Sequence, residues 1–277
     1  MKTIAFGRFE LPLGETPLIV GILNLTPDSF SDGGEYASFE AAALRWQAMV
    51  DEGAAVIDIG AESTRPGSVP ISAEEEIRRL SAVKDLIAAS SVPVSVDTYK
   101  SETAAAALNW GAQILNDVSG FQADPEMAAV AASAGCAVCL SGSSRTDDNE
   151  NDIMNAIKRS LERSLETAVR AGVKEEKIII DPGIGFAMTP EQAFEAIRRL
   201  KELHTFRLPI ELGTSRKRLF ASICGSVPWE RAAATAVTTA VGVAAGVDFF
   251  RVHDVKINRE AALTAAAIFP DRRYPYE

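Results

Sequence analysis

The segment KIIIDPGIGFAMTPEQAFEAIRRL, residues 177–200, holds one complete instance of the pattern that decides the fold. A short apolar run (177–181) ends on an acid, Asp181. A glycine-bearing loop follows, and Thr189 with Pro190 then opens an amphipathic stretch, the usual signature of a helix start. A brief, continuously apolar run reads as a strand buried on both faces, the habit of parallel sheets.

Outward from this unit the pattern recurs along the whole chain. Strands are expected over 18–25, 55–60, 93–97, 113–117, 137–140, 177–181, 209–213 and 248–252. Helices are expected over 39–52, 73–89, 101–110, 125–134, 152–171, 190–203, 229–245 and 257–268. Start signals stand at Ser72 with Glu75, Ser101 with Ala104, and Asp124 before Pro125; exit glycines stand at Gly53, Gly111, Gly135, Gly172 and Gly246. Eight strand–helix units with no linker-like stretch imply one domain over residues 1–277. The fold class is α/β: a single-domain (β/α)8 TIM barrel with an N-terminal β-hairpin, formed by MKTIAFGRFELPLGETP, closing its floor. An open doubly wound sheet is the competing architecture, yet no G-x-G-x-x-G follows the first strand.

In such a barrel the C-terminal ends of the strands build the site. Here those ends carry Asn24, Glu62, Asp97, Asn116, Ser141, Asp181, Ser215, and Arg251 with His253. The set suits a small, hydrogen-bond-rich, partly anionic ligand. A guanidine-like N–C–NH₂ edge would pair bidentately with Asp181, and Asn116 could supply the complementary amide. The plainer alternative is that Asp97, Asn116 and Asp181 each cap a following helix. Thr214–Arg218 and Arg251–His253 follow strands seven and eight, where barrels often bind phosphate. A solvated basic loop is the alternative for Arg216–Arg218, whereas Arg251 lies in an apolar strand and needs a partner. His204, at the end of an amphipathic helix, reads as surface. Loops 26–38 and 61–72 are long and rich in Gly, Pro, Ser and Asp, as mobile binding loops are.

Composition narrows the function further. A net charge of −10 and a pI near 4.9 argue against a general nucleic-acid role. The longest apolar runs fall far short of the roughly 20 residues of a membrane helix, and the opening lacks a signal-peptide core, so a cytoplasmic protein is expected. Cys136 and Cys139 have C-x-x-C spacing, but residues three apart on a strand face opposite sides, which favours core thiols over a metal or redox pair.

The stretches GILNLTPDSFSDGG (21–34), DIGAESTRPGS (58–68), SVDTYKSE (95–102), LNDVSG (115–120), DPGIGF (181–186), TSRKR (214–218) and RVHDVK (251–256) together resemble the dihydropteroate synthases. That resemblance implies a cytoplasmic, homodimeric barrel transferase of folate synthesis. It would join 6-hydroxymethyl-7,8-dihydropterin pyrophosphate to p-aminobenzoate with Mg²⁺ assistance. The resemblance gives Asp32, Asp97 and Lys217 catalytic roles, and Asp97, Asn116, Asp181 and Lys217 the pterin. It gives Asn24, Arg65, Arg251 and His253 the pyrophosphate, with Asn24 near the metal. Thr64, Pro66, Phe186 and Arg218 would meet p-aminobenzoate, the ligand that sulfonamides imitate. Two positions depart from the family pattern: Leu140-Ser141 replaces a Met-His pair, and Met188 replaces a lysine. Leu140 is expected to keep an apolar wall for the heterocycle, while loss of the histidine and the lysine is expected to weaken ligand contacts or loop docking. The alternative reading is a diverged pterin-binding barrel without condensation activity.

Overall fold

The computed structural model describes residues 3–26, 34–63, 68–143, 152–225 and 227–271, without the side chains of 34–38. A hairpin of β1 (Thr3–Phe6) and β2 (Phe9–Pro12) precedes the barrel. The barrel strands are β3 (Leu18–Asn24), β4 (Val56–Gly60), β5 (Val94–Asp97), β6 (Ile114–Asp117), β7 (Ala137–Ser141), β8 (Ile178–Asp181), β9 (Glu211–Leu212) and β10 (Phe249–Val252). They form a parallel eight-stranded sheet in the order β8-β7-β6-β5-β4-β3-β10-β9. A parallel bridge between Ile180 and Ile210 brings β8 back to the β9 edge and closes the ring. This is the expected TIM barrel. Its helices are α1 (Gly34–Asp51), α2 (Ala73–Ser81), α3 (Lys84–Ala89), α4 (Ser101–Asn109), α5 (Met127–Ala134), α6 (Ile153–Ala171), α7 (Pro190–Arg198), α8 (Ala221–Cys224), α9 (Ala232–Ala244) and α10 (Val255–Ile268).

Strand alternation divides the core in two. Val20, Val56, Ile114, Cys139, Ile179 and Phe249 fill the barrel and pack on Ile4, Phe6 and Leu13 from the hairpin side. Phe6 meets Phe249 edge-on, with ring centroids 6.4 Å apart. The hairpin is therefore the floor, which leaves the opposite, C-terminal mouth as the open end. The other strand face, including Ile57, Val96, Leu115, Leu140, Ile180 and Phe250, packs under the helices.

Several local expectations shift. The helix expected over 73–89 divides into α2 and α3 at Val83, whose backbone (φ −112°, ψ 12°) leaves the helical region while its side chain stays buried. Ser72 and Thr189 cap their helices as expected, the latter in a full capping box with Gln192. Ser101 does not cap by its side chain; its N–H donates to Asp124 Oδ2 at 2.8 Å, and Glu126 N–H donates to Asp124 Oδ1 at 2.9 Å. One carboxylate thus ties two helix starts. His204 is buried rather than at the surface, with Nε2 2.8 Å from the Ala245 carbonyl oxygen, and burial lowers its pKa. Cys136 and Cys139 do fall on opposite faces, one in each core.

Candidate active site

One interior layer of the barrel is made of Val20, Val56, Ser95, Ile114, Cys139, Ile179, Glu211 and Phe249 around a small cavity. Two residues further along each strand, on the same inward face, the sequence supplies Ile22, Asp58, Asp97, Asn116, Ser141, Asp181, Gly213 and Arg251. The polarity change is abrupt. An apolar floor gives way to a ring of three acids, an amide, a hydroxyl and a guanidinium, with a glycine gap beside Asp181: a Cβ on Gly213 would sit 3.7 Å from Asp181 Oδ2.

Arg251 organises one side of this ring. Its Nε donates to Asp58 Oδ2 at 2.7 Å and its Nη2 to Asp97 Oδ2 at 2.5 Å. Burial opposes the charge of Arg251, but Asp58, Asp97 and Glu211 together outweigh it and raise its pKa. Burial pushes Asp97 up to about 7; Arg251 pulls it back, and the acids Asp58, Glu76 and Asp117 push it further. On the other side Asp181 Oδ1 accepts the Gly183 N–H at 2.8 Å. The Asn116 carboxamide, whose residue is the register partner of Asp97 on the next strand, has no protein partner among the described residues.

A second cluster stands one layer higher. Asn24 Nδ2 lies 3.4 Å from His253 Nε2, and His253 Nδ1 lies 2.9 Å from Ser215 Oγ, which also accepts the His253 N–H at 3.0 Å. Arg45 donates to the His253 carbonyl at 2.6 Å and fixes the turn after β10. Lys217 extends along the loop after β8, donates to the Ile184 carbonyl and sits 4.4 Å above the Phe186 ring. Arg218 is exposed beside it.

The structure thus brings Asn24, Asp97, Asn116, Asp181, Lys217, Phe186, Arg251 and His253 to one mouth. Asp32, Thr64, Arg65 and Pro66 lie outside the described residues. Glu62, a strand-end residue by sequence, is taken up by Tyr99 (2.5 Å) and Lys100 and serves the scaffold. The three cations of Arg216–Arg218 part company: Arg216 forms a two-point pair with Asp254 (3.0 and 2.5 Å) and is not a free basic group. Leu140, expected as an apolar wall for the heterocycle, faces the helices instead and is fully buried there, and the inward position belongs to Ser141. Ser141 Oγ and Asp58 Oδ1 are buried without a hydrogen-bond partner among the described residues. Sequence reasoning missed Asp58 and Glu211 altogether. The signal was present in each case: an acid at an inward position of an otherwise apolar strand.

The comparisons with known proteins agree with this geometry. The chain is 44% identical to the dihydropteroate synthase of Bacillus subtilis over 243 residues, 87% of this chain and 85% of that protein. The family model described as pterin binding enzyme matches residues 20–253. The chain belongs to the dihydropteroate synthase family of pterin-binding enzymes. Two solved members of this family share its shape. The Clostridium difficile dihydropteroate synthase, solved in the presence of pteroic acid, superposes with a TM-score of 0.90 at 42% identity, covering 94% of this chain and 99% of that one. The Xanthomonas albilineans dihydropteroate synthase with 4-aminobenzoic acid gives a TM-score of 0.90 at 32% identity, covering 96% and 97%.

Proposed function

We infer that this chain, as a dihydropteroate synthase, condenses 6-hydroxymethyl-7,8-dihydropterin pyrophosphate with p-aminobenzoate, releasing 7,8-dihydropteroate and pyrophosphate. The observation that carries this is the ring itself. An acid–amide pair, Asp181 and Asn116, shares one mouth with the Asn24–His253 pair and Arg251. Asp181 accepts from the N–C–NH₂ edge of the pterin, and Asn116 meets the neighbouring polar edge. Gly213 puts no side chain beside Asp181, where a flat bicycle would lie. Lys217 and Phe186 wall the ring from the loop side. Asn24, Arg65, Arg251 and His253 take the diphosphate; Arg251 keeps Nη1 without a protein partner among the described residues while its other nitrogens hold Asp58 and Asp97. Arg218, exposed at the rim, meets the carboxylate of p-aminobenzoate, with Thr64 and Pro66 closing over it.

The reaction is a substitution at the pterin methylene. The C–O bond to diphosphate breaks, the amine forms the new C–N bond, and the amine nitrogen then sheds a proton. As the diphosphate leaves, positive charge spreads into the electron-rich ring, where Asp97 and Asp32 favour it. The cationic side chains at the anion end stabilise the departing charge. Among the described residues no group of three or more His, Cys, Asp or Glu could hold a metal. The donor set fits Mg²⁺ carried in by substrate, since that ion binds through one or two protein oxygens, phosphate oxygens and waters. Asn24 would be the protein ligand, and the ion would reduce the charge of the leaving diphosphate.

Residues 1–277 are read as a single catalytic domain of a cytoplasmic protein. No helix among the described residues is long and apolar enough to cross a membrane. A homodimer is supported by exposed apolar side chains on α9 and α10: Val237, Val241, Leu263 and Ile268.

The test incubates purified protein with the pterin pyrophosphate, Mg²⁺ and p-aminobenzoate and measures dihydropteroate and pyrophosphate. Stoichiometric appearance of both is expected. Pterin binding without turnover would replace this reading by that of a pterin holder.

A further inference from the structure

We propose that Glu211 is a positioning residue for the anion end of the site: one layer below the ring, its carboxyl competes with Asp58 and Asp97 for the charge of Arg251 and so sets how tightly diphosphate is held. This rests on the diphosphate role assigned to Arg251 above.

Glu211 sits on β9 with its side chain turned into the barrel, 4% exposed, on the wall of the small interior cavity. Its direct hydrogen-bonding neighbour is weak, the Cys139 thiol donating to Oε1 across 3.6 Å. The charged groups around it come from the strands on every side. The charges that act on it are Asp181 on β8, Arg251 on β10, two positions beyond its register partner Phe249, and Asp58 on β4, with Asp97 of β5 joined through Arg251. Cys139 represents β7, while β3 and β6 present only Val20 and Ile114 at this level. Asp248, ahead of β10, is occupied by the Ile210 N–H at 3.0 Å. One guanidinium therefore serves three acids, and the shortage is visible, since Asp58 Oδ1 has no partner among the described residues. Burial pushes Glu211 up to about 8, with Asp181 adding to the rise and Arg251 opposing it. At neutral pH Glu211 is mostly uncharged and Asp97 is near half ionised, so Glu211 takes little of the charge of Arg251. Above that range Glu211 ionises, the charge of Arg251 is divided three ways, and the mouth becomes more repulsive to an anion.

The experiment measures the affinity of inorganic pyrophosphate with Mg²⁺ by calorimetry from pH 6.5 to 9.5, for wild type, Glu211→Gln and Glu211→Leu. Comparison at each pH cancels the ligand's own titration. Equal affinities near pH 6.5 are expected, with wild type falling behind Glu211→Gln by about three- to tenfold at pH 9, the size of one partly screened charge nearby. Glu211→Leu should track Glu211→Gln. Urea unfolding gives a second readout that needs no ligand. Glu211 holds its proton when folded and loses it near its ordinary 4.5 when unfolded. Wild type should therefore lose stability relative to Glu211→Gln as pH rises from about 4.5 to about 8, and level off above. A pH-independent affinity ratio would overturn the role of Glu211 alone. Folded wild type that binds no pyrophosphate at any pH would overturn the diphosphate assignment, and this inference with it.

Discussion

Removing the guanidinium of Arg251 tests the centre of the site. Arg251 makes contacts of 2.7 Å to Asp58 and 2.5 Å to Asp97, and Asp58 is fully buried. An exposed ion pair contributes at most about 1 kcal/mol, but breaking a buried one strands charge in a medium that solvates it poorly and costs about 3–5 kcal/mol. Arg251→Ala strands two acids, so a loss at the upper end, about 5 kcal/mol, is expected at pH 8. Stranded Asp97 can escape by binding a proton. Asp97 already reaches about 7 with the arginine present, and without it Asp97 rises further. In the variant its folded pKa exceeds the value of about 7 it has beside Arg251, so the destabilisation relative to wild type grows as pH climbs above about 7, by up to about 1.4 kcal/mol per pH unit. Urea unfolding of wild type and Arg251→Ala at pH 5.5 and pH 8 measures this directly. The loss should be clearly smaller at pH 5.5, and Asp58→Asn in the Arg251→Ala background should restore part of it. A loss under about 1 kcal/mol, or one identical at both pH values, would refute the view that Arg251 neutralises a buried acid pair.

Asp181→Asn should weaken pterin binding by about 100-fold or more, because an amide presents a donor where the ligand needs a second acceptor; calorimetry with pteroic acid reads this, and an unchanged affinity would remove Asp181 from the pocket. Asn24→Ala should weaken Mg²⁺–pyrophosphate binding while leaving free pterin binding within about twofold, and equal losses in the two titrations would contradict the division of the mouth into two ends. Gly242→Ala, on α9, would place a Cβ 2.7 Å from the Phe250 ring and 2.9 Å from Leu212, so a stability loss of about 1–3 kcal/mol from overpacking is expected in thermal or urea unfolding.

The site was legible in the sequence to the extent that it is a property of strand ends. Asn24, Asp97, Asn116, Asp181 and Arg251 follow apolar runs, and a parallel barrel must deliver such ends to one rim. The place of Lys217 above the Phe186 ring was not legible in the pattern, since nothing in TSRKR says which cation turns that way. Leu140 and Ser141 show the limit most clearly. They are adjacent, and a one-residue difference in facing exchanges a pocket wall for a helix contact.

The order of strands and helices, the hairpin floor and the polar rim were fixed by periodicity, a local property carried by every few residues. Tertiary structure decided the partners. Arg251 meets Asp58 from 193 positions away and Asp97 from 154, Arg216 closes on Asp254, and Glu62 is drawn off to Lys100. Those pairings exist only once the ring closes, because closure sets which inward side chains share a layer, and short-range pattern carries no information about that distance.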